Sequence, residues 1–69
     1  MIGFVGGTGP EGRGLALRLA MAGEEIVIGS RSAERARKTA AGLLELLPDG
    51  RIIGTENNTA AKLSEIVFI

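Results

Sequence analysis

The sequence predicts an α/β fold built on a doubly wound parallel sheet, and three observations predict it. Short apolar runs alternate with longer stretches of helical period along the whole chain. The run "EIVIG" at 25–29 is continuous rather than alternating, which marks a strand buried on both faces. A glycine-rich segment, "GGTGPEGRG" at 6–14, stands between the first apolar run and the first helical stretch. Strands and helices that alternate with short links imply parallel strands joined by right-handed crossovers.

The elements follow in order. "IGFV" at Ile2–Val5 reads as a short buried strand. A helix is expected from Pro10 to Ala22, with Gly9 as its cap, proline at its first position and Gly23 as its stop. Leu15 and Leu19 share one face and Leu17 and Met21 another, so this helix is expected to be mostly covered. Glu25–Gly29 is the second strand. Ser32 caps a second helix reaching about Leu47, whose inner stripe is Ala33, Ala36, Ala40, Leu43, Leu44 and Leu47. Arg35, Lys38 and Glu45 fall mostly on its solvated side. Pro48–Gly50 is a turn, and Arg51–Gly54 a weak third strand. Asn57, Asn58 and Thr59 offer caps for a short helix through about Ser64, and Ile66–Ile69 is a fourth strand.

Composition narrows the function. The chain has 69 residues, enough for one small unit. Such a unit buries only about 60% of its unfolded surface. Hydrophobic residues make up 45% and charged residues 23%, a globular balance. Lys and Arg total 8 against 8 for Asp and Glu, so no general nucleic-acid or membrane-surface binder is indicated. The absence of cysteine and histidine excludes disulfides, thiolate nucleophiles, histidine acid–base chemistry and Cys/His metal sites within these residues. No apolar run is long enough to span a bilayer, and a cytoplasmic setting is expected.

The glycines carry the first functional reading. Gly7-x-Gly9-x-x-Gly12 follows a strand and opens a helix. At that spacing the first glycine permits a tight turn, the second lets the backbone approach a pyrophosphate, and the third lets helix and strand pack closely. The N–H groups at the helix start, and its dipole, favour the anion. No Lys-Ser/Thr pair follows, so a P-loop is not indicated. Thr8 either donates its hydroxyl to a phosphate or satisfies loop backbone. Glu11 is expected to point to solvent, offset by Arg13, and Gly14 to serve tight helix packing.

The second reading comes from "IGSRS" at 28–32. An NAD-specific site places Asp or Glu at the end of the second strand, about 20 residues beyond the glycines, to bind the ribose 2′-hydroxyl. Here Gly29 is followed by Ser30 and Arg31. No carboxylate repels a 2′-phosphate, the small residue makes room, the hydroxyl donates, and the guanidinium supplies a charge-assisted contact. Arg35, one turn into the helix, adds positive charge on the same side. These residues point to NADP(H) as the cofactor. No residue is a convincing general acid or base, and none is assigned to catalysis or to a metal.

The segment "GFVGGTGPEGRGLALRLAMAGEEIVIGSRSAERA" closely resembles the N-terminal part of the NADPH-dependent coenzyme F420 reductases. Gly6-Gly7-Thr8-Gly9, the following Gly12, "LALRLA" at 15–20 and Gly29-Ser30-Arg31 carry the likeness. The resemblance implies a Rossmann-type domain and hydride transfer between NADPH and the 5-deazaflavin F420 as co-substrate. It also implies that Gly7, Gly9 and Gly12 line the pyrophosphate, and that Thr8, Ser30, Arg31 and Arg35 hold the 2′-phosphate. The nicotinamide C4 would be aligned with the deazaflavin C5. Chains of that family are much longer, and the residues walling in the deazaflavin come mostly after position 69.

Residues 1–69 are therefore expected to be the leading part of an NADP-binding domain, an incomplete sheet of order 3-2-1-4 that stops within its fourth strand. The partners implied are small-molecule cofactors, with no nucleic acid and no membrane, and a homo-oligomer at full length. Other readings stay open on the residues alone. Gly6-x-x-Gly9-x-x-Gly12 also fits short-chain dehydrogenases, whose Tyr-x-x-x-Lys pair would lie beyond this segment. An imine reductase of the pyrroline-carboxylate kind and a non-enzymatic NADP-binding redox sensor share the same features.

Overall fold

The computed structural model describes residues 1–6 and 9–69. Among the described residues four strands and three helices alternate: β1 (Ile2–Phe4), α1 (Pro10–Met21), β2 (Glu25–Ser30), α2 (Ala33–Leu46), β3 (Arg51–Glu56), α3 (Asn57–Leu63) and β4 (Ile66–Phe68). The strands form one sheet in the order β3-β2-β1-β4. Every pairing is parallel, with Ile2 opposite both Ile26 and Ile66, and Ile26 opposite Ile52. The doubly wound topology expected from the alternation is the one observed.

Side-chain alternation along the strands divides the core in two. Phe4, Ile26, Ile28 and Ile52 meet Ala16 and Ala20 of α1 and Ala36, Ala40 and Leu43 of α2. Alanine at the helix contacts lets both helices lie close on the sheet. At Gly54 a side chain would run into the α2 backbone at Ala36 and Arg37, so the close approach of α2 to β3 requires glycine there. The opposite face is covered by the single short helix α3, whose buried Ala60 sits beside β2.

Several boundaries and caps differ from expectation. β3 runs six residues and is paired with β2 along its whole length, because its partner continues to Ser30. Ser32 caps α2 as expected, its Oγ accepting the Arg35 N–H at 3.2 Å. The cap of α3 is Glu56 rather than Asn57, Asn58 or Thr59; its carboxylate accepts from the Thr59 N–H at 3.0 Å. A long carboxylate at the strand end reaches the free amides of the first turn, which releases Asn57 for another contact. α1 is less covered than expected: only Ala16 and Ala20 are buried, and Met21 is 67% exposed. The helix rests on its alanine stripe while its large side chains spread to either side.

Candidate functional site

Because the strands are parallel, their C-terminal ends share one edge of the sheet. Val5 leaves β1 there and leads into Gly6, Arg31 leaves β2, Asn57 leaves β3 and Ile69 leaves β4. A crevice of about 580 Å³ opens at this edge between the ends of β1 and β4 and the start of α1. Phe4, Gly6, Gly9, Gly12, Phe68 and Ile69 line it. It occupies the position where strand order reverses, since β1 has β2 on one side and β4 on the other.

Gly9 is the most informative residue of the crevice. Its backbone is ordinary for any residue, φ −75° and ψ 160°, as the N-cap of α1. A Cβ built there meets no described atom within 4 Å. Gly9 thus borders the crevice with open space where a side chain would stand. Gly6 is different: its φ of 71° lies in the left-handed region that favours glycine. Gly12 sits half-buried in the first turn of α1. The expectations for Gly7 and Thr8 fall outside the described residues.

Three other predicted residues lie on the β2 side of the same edge. Ser30 ends β2 and is buried, its Oγ accepting the Ser32 N–H at 3.4 Å. Arg31 and Arg35 are exposed, and neither forms an ion pair among the described residues. Arg35 borders a second groove, of about 550 Å³, between α1 and α2. Pro10 borders both cavities, so the N-terminus of α1 stands between the crevice and this groove.

Three expectations are corrected. Gly29 does not leave room for a ligand: a Cβ there would come within 2.9 Å of Ala60 Cβ and of Asn57 Oδ1, so its space is taken by α3. Gly14 is not a tight packing position, since a Cβ there meets no described atom within 4 Å. Glu11 and Arg13 do not offset one another; Glu11 faces the crevice, Arg13 the α1–α2 groove, and no ion pair joins them.

Comparison with known proteins assigns this arrangement to a family. The profile of the family described as NADP oxidoreductase, coenzyme F420-dependent, matches residues 1–69. The chain belongs to the F420-dependent NADP oxidoreductase family. It is 47% identical to the F420-dependent NADP reductase of Methanothermobacter thermautotrophicus over 99% of its own length and 30% of the relative's. The corresponding protein of Methanocaldococcus jannaschii is 44% identical over 99% of this chain and 32% of its own. This member of the family thus spans about 30% of the length of the curated relatives it matches.

Two features of this family member were not apparent from the sequence. Asn57 Oδ1 accepts the Gly6 N–H at 3.1 Å and so ties the start of the glycine loop to α3. Its position after a strand read as a helix cap, and only the packing of α3 beneath Gly29 brings it to Gly6. Glu56 lies opposite Ser30 across the β2–β3 pair. The β2 end carries no acid, as expected, but an acid stands one strand away. Its carboxylate is occupied by the Thr59 N–H and, at 3.4 Å, the Thr59 hydroxyl. No helix among the described residues is long and apolar enough to cross a membrane.

Proposed function

We propose that this segment is the NADP(H)-binding part of a cytoplasmic enzyme that transfers hydride between NADPH and coenzyme F420. The observation that carries the reading is the crevice at the edge where strand order reverses, bordered by Gly6, Gly9 and Gly12 at the start of a helix. A pyrophosphate approaching Gly9 meets the unpaired N–H groups and positive dipole end of α1. The crevice beside β4 suits the nicotinamide half. On the other side of α1, Ser30, Arg31 and Arg35 suit the 2′-phosphate, with no carboxylate at the end of β2 to repel it. Gly7, Gly12 and Thr8 complete the phosphate-binding loop in this proposal.

Nicotinamide and deazaflavin carry the hydride chemistry themselves. The protein supplies geometry. α1 fixes the pyrophosphate, Phe4 and Phe68 stack at 5.2 Å to form an apolar wall beside the crevice, and Asn57 holds the loop entrance through Gly6. The names of the relatives support F420 as the second substrate, and residues outside this segment would enclose it. We also propose a homo-oligomer for the intact protein. The test is a hydride-transfer assay with the intact protein, NADPH and F420. Equal molar amounts of NADPH oxidised and F420 reduced are expected. NADPH binding without any F420 reduction would favour a sensor over an enzyme.

A further inference from the structure

We infer that Arg13 is a further specificity-determining residue, facing Arg35 across the α1–α2 groove and selecting a cofactor that carries a 2′-phosphate; the inference rests on the NADP(H) reading above. Both guanidiniums border the same groove although they come from different helices, and no Asp or Glu lines it. Neither forms an ion pair among the described residues. The contrast with Lys38 is instructive. Lys38 also lines the groove, but Glu34 stands one turn before it and pairs with it at 3.7 Å. Arg13 has Gly9, Pro10, Ala16 and Leu17 three and four residues away, and Arg35 has Arg31, Ser32, Lys38 and Thr39. Helix-surface pairing therefore offers neither arginine an acid.

Position strengthens the point. Arg35 is the third residue of α2 and Arg13 the fourth of α1, both counted from the first helical residue. A cation this close to a helix N-terminus is disfavoured by the dipole, which prefers an anion there. Parallel strands give the two helices the same direction, and Pro10 at the start of α1 borders the groove together with both arginines. A phosphate monoester carries about −1.5 to −2 charges at neutral pH and accepts bidentate hydrogen bonds from arginine. Bound in the groove, it would meet two guanidiniums that no acid among the described residues pairs. Arg13 lies off the pyrophosphate crevice, so a cofactor lacking the 2′-phosphate gains little from it.

The test titrates the intact protein, its Arg13→Ala and Arg13→Lys variants, and Arg31→Ala with NADPH, NADH and adenosine 2′,5′-bisphosphate. Arg13→Ala is expected to weaken NADPH and the bisphosphate roughly tenfold while NADH changes less than about twofold. Arg13→Lys should recover part of the loss, because the charge returns without the planar fork. Loss of NADPH preference in Arg31→Ala but not in Arg13→Ala overturns the Arg13 assignment and leaves the cofactor reading standing. No change of preference in either variant overturns both.

Discussion

At the residue scale, Gly9 differs from Gly29 and Gly54, which the fold itself holds bare: a Cβ at Gly9 meets no described atom within 4 Å. Its φ of −75° removes any left-handed requirement, so the backbone tolerates a side chain there, whereas a pyrophosphate bound as proposed would not. Gly9→Val is expected to lower the affinity for NADPH and NADH alike, roughly tenfold or more, about 1.4 kcal/mol. Stability should fall by only about 1 kcal/mol, the cost of an apolar residue at a helix N-cap. Parallel titrations and urea melts read both effects. Unchanged cofactor affinity would reduce the glycine loop to a turn. The glycines that border the crevice, Gly6, Gly9 and Gly12, were legible as a glycine-rich link between strand and helix, whereas Gly14 and Gly29 were misread because their surroundings depend on how the helices pack. Asn57 was not legible, because its bond to Gly6 spans 51 residues of sequence and depends on how α3 seats against the sheet.

At the element scale, the sheet is held from one side by α1 and α2 and from the other, among the described residues, by α3. The contact of α3 with β2 is close enough that Gly29 has no space for a methyl group beside Ala60 and Asn57. Gly29→Ala is therefore expected to destabilise the fold by about 1–3 kcal/mol through overpacking. Ala60→Gly in the same chain should recover part of that loss by removing one of the clashing atoms. Denaturant midpoints check both, and a Gly29→Ala variant as stable as the parent would contradict the packing described. Strand and helix order was readable from the apolar runs and the helical stripe of α2, where period and burial agree. The cap of α3 and the length of β3 were not. Glu56 both ends the strand and caps the helix, and a residue serving two elements has no single local signature. The cover of α1 was overestimated because periodicity shows which residues share a face, not how much of the sheet lies beneath it.

At the scale of the whole molecule, β4 is the exposed end of the sheet. Ile66, Val67 and Phe68 remain partly open to solvent, and the outer backbone groups of β4 have no neighbouring strand among the described residues. An apolar strand with an open edge is a template for pairing with another chain. The isolated 69-residue chain is expected to associate as its concentration rises, to bind adenosine 2′,5′-bisphosphate weakly, and to transfer no hydride to F420. Sedimentation and the hydride assay check this; a monomeric chain that reduces F420 with NADPH would show that the active unit is complete within it.

In the function proposed, the end of β2 and the start of α2 read a 2′-phosphate rather than a ribose hydroxyl. Titration of the intact protein with NADPH and with NADH under identical salt tests it most directly. One or two charge-assisted hydrogen bonds predict that NADPH binds roughly 10- to 100-fold more tightly. Equal affinity for the two cofactors would contradict the account.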